Sequence, residues 1–325
     1  MKGDWIAALL FCGMLLLAGC SAKAAPVEQQ TKPQSMAAFT RESRIEDVQN
    51  DPAFDGFGRL LFPTNTYYYS GDTLEELEFT YYSHIDPEET VEIVNTLRDR
   101  VEAGQTVFYD IYTEQEKKAD PAKRDTGLFY FKGNPGEKFA ICNAGGAFAF
   151  VGAMQDSFPH ALELSKKGYN AFALIYRPGA QTACEDLARA ITFIFDHAQE
   201  LEVDTACYSL WGGSAGARMA AWLGTYDPAA FGGDDLPRPG TVVMQYTGLG
   251  EYSEEDPPTY ACVGDRDGIA PWQIMKARLD AMRADGIPTE FHRYPGLGHG
   301  FGLGTGTSAE GWLDDAVDFW EQQMK

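Results

Sequence analysis

The strongest constraint on the fold of this chain is an alternation of strand-like and helix-like segments over residues 105–325. Short apolar runs rich in β-branched and aromatic residues predict strands at 106–112, 127–131, 138–142, 170–176, 206–211, 241–246, 259–263 and 289–294. Apolar residues at helical spacing predict helices at 157–168, 183–201, 215–224, 271–285 and 308–323. Because parallel strands need long crossovers, this order predicts an α/β fold, with a mostly parallel central sheet and helices on both faces.

Residues 41–104 precede this domain as a small N-terminal extension or cap. Within them, residues 67–82 hold two aromatic-rich runs around an acidic segment, which predict a hairpin or an irregular surface element. A helix should begin after Asp86 as the N-cap, with proline at its first position, and end at Gly104. We expect its apolar face to pack on the edge of the main domain, and a cap over a ligand site is the alternative.

Residues 1–20 predict a signal peptide, because Lys2 precedes an apolar run that ends in small residues and Cys20. The apolar run is shorter than the roughly 20 residues that span a bilayer. Its ending resembles the bacterial lipoprotein signal, which implies a lipid on Cys20 and an extracytoplasmic protein anchored to a membrane. An ordinary signal peptide and an uncleaved anchor are the alternatives. Residues 21–40 lack periodicity and predict a flexible tether.

The composition narrows the possible partners. The net charge is −22, from 48 acidic and 26 basic residues, so nucleic acid is an unfavourable partner. After loss of the signal peptide and lipidation of Cys20, four cysteines remain: Cys142, Cys184, Cys207 and Cys262. They show no spacing typical of a metal site, and we expect neither a metal nor a cofactor. No disulfide pairing follows from their positions.

The clearest chemical motif surrounds Ser214. A predicted strand runs into Gly212–Gly213–Ser214–Ala215–Gly216 and then directly into a predicted helix. In this strand–turn–helix context the G-x-S-x-G pattern lets the chain turn sharply and leaves the serine hydroxyl exposed. The free N–H groups at the helix start favour negative charge beside the serine. The motif therefore predicts a serine nucleophile.

A serine nucleophile needs a base, and the chain has five histidines. His299 lies in a glycine-rich loop, residues 296–300, after the last predicted strand, where an imidazole can reach the serine. The other four are expected to be structural: His84, His160, His197 and His292. The carboxylate that orients the base should follow the strand at 259–263, where Asp265 and Asp267 compete.

Oxyanion donors and a substrate pocket are also expected near Ser214. The N–H of Ala215 and the glycine-containing loop at residues 143–147 are placed to hold an oxyanion. Aromatic residues beside the catalytic segments are pocket candidates: Phe148, Trp211, Trp272 and Phe301. Ordinary packing is the alternative role for these aromatic side chains.

Residues 105–325 resemble the α/β-hydrolase family, and within it the small carbohydrate esterases and the HGGG-type esterases and lipases. The resemblance rests on the loop at Asn143–Gly146, the elbow at Ser214, the turn that ends at Asp267, and His299. These residues occur in the order serine, aspartate, histidine that the family uses. The resemblance implies the fold and a serine-dependent hydrolase.

The same resemblance assigns roles to individual residues. It implies that Asp267 rather than Asp265 is the triad acid. It implies that the oxyanion hole is formed by Gly145, Gly146 and Ala215. The sequence departs from the HGGG pattern at Asn143 and Ala144, which replace its histidine and first glycine.

These features predict a serine hydrolase that cleaves carboxylic esters through an acyl-enzyme, with acetyl or other short acyl esters on carbohydrates as substrates. One alternative is a serine peptidase similar to prolyl oligopeptidases, although the N-terminal extension is small for such an enzyme. Another is a non-catalytic surface lipoprotein that binds a ligand. The complete set of serine, aspartate and histidine argues against a purely binding role.

Overall fold

The computed structural model describes residues 38–82 and 85–325, so the predicted signal peptide, Cys20 and most of the tether lie outside the described residues. Ala38–Lys325 forms one compact unit. One cluster of buried apolar side chains extends from Ile45 in the N-terminal extension to Trp320 near the C-terminus. The extension therefore shares its core with the sheet domain.

The strands of the described chain are short in the extension and longer in the main sheet. They are β1 (Tyr69–Ser70), β2 (Glu78–Phe79), β3 (Phe108–Tyr109), β4 (Gly127–Phe131), β5 (Lys138–Asn143), β6 (Asn170–Ile175), β7 (Asp204–Gly213), β8 (Thr241–Gln245), β9 (Thr259–Gly264) and β10 (Thr289–Tyr294). β1 and β2 pair antiparallel, which gives the hairpin that was one of the two structures expected there.

The other eight strands form one sheet in the order β10-β9-β8-β7-β5-β6-β4-β3. In the run β10-β9-β8-β7-β5-β6, every pair of adjacent strands is parallel. β4 and β3 extend the sheet antiparallel at one edge. The predicted mostly parallel central sheet is confirmed.

The α-helices of the described chain follow the predicted alternation. They are α1 (Ile45–Gln49), α2 (Pro87–Glu102), α3 (Glu114–Ala119), α4 (Ala153–Asp156), α5 (Phe158–Lys166), α6 (Ala180–Asp196), α7 (Ala198–Leu201), α8 (Ala215–Tyr226), α9 (Trp272–Ala284) and α10 (Trp312–Gln323). Short 3-10 helices occupy Pro52–Phe54, Gly58–Leu60, Thr66–Tyr68, Pro121–Asp125 and Pro228–Phe231.

Helices cover both faces of the sheet. On β7, Tyr208 and Trp211 are three residues apart, so their side chains point to opposite faces. The Tyr208 ring packs edge-on against Phe195 of α6, with 5.5 Å between ring centroids. The Trp211 ring packs against Trp320 of α10, at 6.4 Å. Helices α6 and α10 therefore lie on opposite sides of β7.

Helix α2 begins and ends where the sequence predicts. The Asp86 side chain accepts a hydrogen bond from the Glu88 N–H, and proline occupies the first helical position. Gly104 follows the helix end with a φ of 79°. The helix packs against α5, and Ile93 and Leu97 are fully buried. Its apolar face thus contributes to the shared core.

Several predicted elements differ in extent by a few residues, and two of them differ more substantially. The strand predicted at 106–112 is limited to Phe108–Tyr109, and a capping box at Thr113, four residues later, starts α3. The helix predicted at 183–201 divides at His197, whose backbone leaves the helical region between α6 and α7. Within the described ranges, we find no helix with the length and apolar composition required to cross a membrane.

Candidate active site

The turn between β7 and α8 holds Ser214 in a strained backbone conformation, with φ 51° and ψ −113°. A Cβ on Gly212 would lie 2.3 Å from the carbonyl carbon of Gly216. A Cβ on Gly216 would lie 2.0 Å from the backbone oxygen of Asn143 on β5. Both positions therefore require glycine, and the packed strand and helix hold the serine at the tip of the turn.

Ser214, His299 and Asp267 form one continuous chain of hydrogen-bonded side chains. The His299 Nε2 lies 2.9 Å from the Ser214 Oγ. The His299 Nδ1 lies 2.8 Å from the Asp267 Oδ2. The second carboxylate oxygen, Oδ1, accepts hydrogen bonds from the N–H groups of Ile269 and Ala270. With both oxygens engaged, the carboxylate can hold the imidazole with its Nδ1–H inward, which leaves Nε2 to accept the serine proton.

The structure distinguishes between Asp265 and Asp267, the two candidates for the carboxylate that orients His299. Asp265 does not contact the imidazole, and its Oδ1 accepts a hydrogen bond from the Gly296 N–H at 2.7 Å. Gly296 begins the loop that carries His299. Asp265 therefore ties this loop to the end of β9, whereas Asp267 faces the histidine ring.

The remaining described histidines have other partners. His160 is buried in α5, edge-on to the Trp312 ring. The His197 Nδ1 lies 2.8 Å from a backbone oxygen one turn earlier in α6. The His292 Nε2 lies 2.6 Å from a Glu290 carboxylate oxygen. His84 lies outside the described residues, so His299 is the described histidine that contacts Ser214.

Backbone N–H groups near Ser214 are available as oxyanion donors. Ala215 is the first residue of α8, where an N–H has no intrahelical acceptor. The Gly146 N–H has no acceptor within the described chain. The Gly145 N–H donates to Asp156 Oδ2 at 2.7 Å and is not free for an oxyanion, so the prediction for Gly145 is wrong. Gly146 and Ala215 remain as candidate donors.

A buried carboxylate behind the elbow was missed by sequence reasoning. Asp156, at the end of α4, has no exposed surface. Its Oδ2 accepts hydrogen bonds from the Gly145 N–H at 2.7 Å and from the Tyr82 hydroxyl at 3.2 Å. Its Oδ1 accepts one from the Tyr246 hydroxyl. A Cβ on Gly213 would lie 2.2 Å from this carboxylate, so Asp156 explains the second glycine of the elbow.

The partners of Asp156 remain proton donors over the working pH range. Burial, and then the nearby Asp156 charge, raise the pKa of Tyr82 and Tyr246 well above the usual tyrosine value. Both hydroxyls therefore stay protonated and keep donating to the carboxylate. The available sequence signal was an acidic residue between Met154 and Phe158 in a mostly apolar stretch, because a buried charge needs partners.

A hollow of about 240 Å³ opens beside Ser214 and His299. The residues that line it include Phe148, Arg218, Tyr246, Thr247 and Ile269. Phe148, a predicted pocket residue, does line the hollow, and its ring stacks on Trp222 of α8 with 6.0 Å between centroids. Arg218 is the second functional candidate that sequence reasoning missed.

Trp211 is not a pocket residue. Its side chain is 1% exposed and packs between the rings of Trp312 and Trp320. Trp211 lies three residues before Ser214, within β7, where its side chain points into the layer between the sheet and α10. The prediction from sequence proximity to Ser214 was wrong because a strand residue faces the core and not the end of the strand.

Phe301 and Trp272 were also predicted as pocket residues and do not line the hollow. Phe301 is fully buried, and its ring packs edge-on against Tyr246 at 4.9 Å. Trp272 is half-buried at the start of α9, under the Arg293 guanidinium at 4.6 Å from the ring centroid. Phe301 supports a wall residue from behind, and Trp272 packs at a separate position.

Comparisons with known proteins support the fold described above. A family model described as BD-FAE matches residues 132–235, which include the Asn143–Gly146 loop and Ser214. The structure is similar to that of an acetyl ester-xyloside bifunctional hydrolase from Caldicellulosiruptor lactoaceticus, with a TM-score of 0.57 and 22% identity over 66% of this chain and 95% of that chain. The chain has the α/β-hydrolase fold.

Two further solved structures with this fold are described as hydrolases. A sugar hydrolase from Lactococcus lactis has a TM-score of 0.53 and 19% identity, over 61% of this chain and 94% of that one. A propionate-bound esterase from the Planctomycetes species Thermogutta terrifontis has a TM-score of 0.52 and 21% identity, over 61% and 89%. A search of curated protein sequences finds no match.

Proposed function

We propose that this α/β-hydrolase is a serine hydrolase that cleaves carboxylic esters through an acyl-enzyme. The observation that carries the proposal is the hydrogen-bonded chain from Ser214 through His299 to Asp267, at 2.9 Å and 2.8 Å, beside an open hollow. The strained elbow and the free N–H groups beside it supply the exposed hydroxyl and the oxyanion donors that acyl transfer requires.

In the first half of the reaction, the Ser214 Oγ forms a bond to the ester carbonyl carbon while His299 Nε2 takes the hydroxyl proton. The Gly146 and Ala215 N–H groups stabilise the resulting oxyanion. When the bond to the leaving oxygen breaks, His299 returns the proton to the departing alcohol. Water then attacks the acyl-enzyme by the same route and releases the acid and the serine. Asp267 stabilises the imidazolium in both halves.

As substrates we propose acetyl or other short acyl esters on carbohydrates. The hollow of about 240 Å³ suits a small acyl group. The similar structures include an acetyl ester-xyloside hydrolase, a sugar hydrolase and a propionate-bound esterase. We further propose an extracytoplasmic location through a lipid on Cys20, which the lipoprotein-like end of residues 1–20 supports.

The test is an activity assay of residues 21–325 on 4-nitrophenyl acetate, butyrate and octanoate, and on acetylated xylan. We expect the highest kcat/KM on the shorter esters and acetate release from the polymer. Ser214→Ala should lower kcat/KM by roughly a thousandfold or more. His299→Asn should behave similarly, whereas His292→Asn, which alters a histidine outside the site, should retain activity.

Equal rates in the wild type and Ser214→Ala would contradict the serine mechanism. Hydrolysis of proline-containing peptides without hydrolysis of any ester would replace the proposal by a serine peptidase. Carbohydrate binding without hydrolysis of any ester or peptide would replace it by a binding function. Ester hydrolysis restricted to octanoate would refute the short-acyl assignment and retain the mechanism.

A further inference from the structure

Arg218 occupies an unusual position beside the candidate nucleophile. It lies in the first turn of α8, and its backbone N–H donates to the Ser214 carbonyl oxygen at 3.3 Å. Its half-buried side chain lines the same hollow as Ser214 and His299. Among the described residues that line this hollow, Arg218 is the one whose side chain carries a permanent charge. The residues that line the hollow therefore include one permanent positive charge, in a chain with a net charge of −22.

The guanidinium of Arg218 has few hydrogen-bond partners within the described protein. Its Nε lies 3.4 Å from the Thr247 Oγ1, a long hydrogen bond. Its Nη2 lies close to Gly248, and a Cβ added there would be 3.5 Å away. The ion pairs of the described chain, defined by a nitrogen–oxygen distance within 4.0 Å, include none with Arg218. Most of its donors therefore remain available to a ligand.

Two other arginines with buried guanidinium groups provide a comparison for Arg218. Arg278 donates to Asp256 at 2.5 Å and to a backbone oxygen. Arg177 donates to Asp186 at 2.7 Å and to Asp120 at 2.6 Å. Both are matched by carboxylates within the chain, as expected for arginines removed from water. Arg218 lacks such a partner in the described structure, although acidic residues outnumber basic ones.

We propose that Arg218 binds a carboxylate of the substrate and so makes the enzyme selective for anionic esters. A guanidinium presents paired N–H donors that match the two oxygens of a carboxylate. One helical turn, about 5.4 Å, separates Arg218 from Ser214 along α8, so the recognised carboxylate belongs to the same small molecule as the ester. This inference rests on the proposed esterase function.

The carboxylate can belong to either side of the ester bond. On the acyl side the substrate is a half-ester of a dicarboxylic acid. On the alcohol side it is an acylated hydroxy acid, such as an acylated uronic acid. Both place the same anionic group near Arg218. The residues of the hollow do not distinguish the two sides, so the experiment has one arm for each.

The experiment compares each anionic ester with its neutral amide. The acyl-side pair is monomethyl succinate and methyl succinamate, assayed by methanol release. The alcohol-side pair is 3-acetoxybenzoate and 3-acetoxybenzamide, assayed by acetate release. We expect the wild type to prefer the anion in one pair by about ten- to a hundredfold in kcat/KM, the range of a charged hydrogen bond. The pair that shows the preference identifies the side of the ester.

Variants then test whether Arg218 causes the preference. Arg218→Gln should reduce the ratio of anionic to neutral kcat/KM to about one, mainly through KM. Arg218→Lys should retain part of the ratio, because it keeps the charge but loses the planar fork. Arg283→Gln is the matched control. It removes one positive charge from α9, where Arg283 contacts the Thr289 carbonyl, and should leave the ratio unchanged.

A measurement on the wild type alone keeps the inference testable if the variants do not fold. With 4-nitrophenyl acetate as substrate, 3-hydroxybenzoate or succinate should inhibit competitively at concentrations at which their amides do not. The role of Arg218 would be overturned if the enzyme hydrolysed the neutral esters, showed no preference for the anionic ester in either pair, and were not inhibited selectively by the anions. That result would leave the esterase proposal intact. No hydrolysis of any ester would instead overturn the esterase proposal.

Discussion

Two buried aspartates serve the same elbow through different partners. Asp267 faces the imidazole of His299, and its other oxygen is held by backbone N–H groups. Asp156 faces the Gly145 N–H and the hydroxyls of Tyr82 and Tyr246. Both carboxylates are almost fully removed from water, with exposures of 8% for Asp267 and 0% for Asp156. The chemical difference between them lies in the groups that they contact.

The partner decides which role a buried carboxylate can have. An imidazole gains a positive charge when it takes the serine proton, so Asp267 can stabilise that charge during the reaction. The tyrosine hydroxyls that contact Asp156 stay neutral, because burial raises their pKa well above the usual value. In the proposed mechanism Asp156 is therefore a positioning residue, which fixes the loop before Gly146.

The largest difference should appear when each acid is replaced by its amide. Asp267→Asn removes the charge that faces His299, and an inward amide N–H favours the wrong imidazole tautomer. We expect kcat on 4-nitrophenyl acetate to fall by roughly a thousand- to ten-thousandfold. Asp265→Asn is the control from the same turn and should lower kcat less than tenfold, because Asp265 contacts Gly296 and not the imidazole. Similar losses in both variants would contradict the assignment.

Asp156→Asn should have a smaller effect of a different kind. The asparagine keeps one acceptor oxygen where the carboxylate uses both, so at least one of the three donors, the Gly145 N–H and the Tyr82 and Tyr246 hydroxyls, loses its acceptor. We expect kcat/KM to fall by about ten- to a hundredfold, mainly through kcat, and the free energy of unfolding to fall by about 1–3 kcal/mol. Steady-state kinetics and urea unfolding measure the two effects. A loss as large as that of Asp267→Asn would refute the purely positioning role.

Removal of one tyrosine hydroxyl at a time should show how much each hydrogen bond to Asp156 contributes to the free energy of unfolding. Tyr246→Phe removes a fully buried hydroxyl, so we expect a loss of about 1–3 kcal/mol in the free energy of unfolding. Tyr82→Phe should cost less, because the Tyr82 side chain is half-buried and its hydrogen bond is longer, at 3.2 Å. Urea unfolding of both variants tests the order. Tyr67→Phe, at an 82% exposed site, is the control and should change little.

The raised pKa of Tyr246 predicts a modest effect at alkaline pH. A folded-state pKa above the unfolded value of about 10 favours the protonated form, so its contribution to stability is complete below pH 10. That contribution is lost as the pH rises from there through the folded-state pKa. Urea unfolding between pH 9 and 11 should show a decline that is shallower in Tyr246→Phe by up to about 1.4 kcal/mol per pH unit. An unchanged slope would contradict this linkage.

The same contrast shows how far the sequence could predict the site. The strand–turn–helix context of Ser214 and the glycine-rich loop of His299 are local patterns, and the structure brings the two side chains together. The N-cap at Asp86 is equally local and predicts the start of α2. Such local patterns depend on residues that are close in sequence, so they can be recognised without knowledge of the tertiary contacts.

Tertiary contacts account for what the sequence did not predict. Asp156 meets Tyr246, which is 90 residues away in the chain, so its partners were not readable from the sequence. The use of the Gly145 N–H by Asp156 follows from the same cluster. Trp211 was misassigned because its position beside the elbow does not reveal which face of β7 it occupies. Each of these depends on the packing of elements that are distant in sequence.

The central claim is that the His299–Asp267 pair activates Ser214 as the nucleophile. Its most direct test is covalent labelling with a fluorophosphonate, followed by mass spectrometry of the peptides. We predict one label, on Ser214, that forms rapidly in the wild type and Asp265→Asn and at least a hundredfold more slowly in His299→Asn and Asp267→Asn. A label on another residue, or rapid labelling of Ser214 in His299→Asn, would contradict the account.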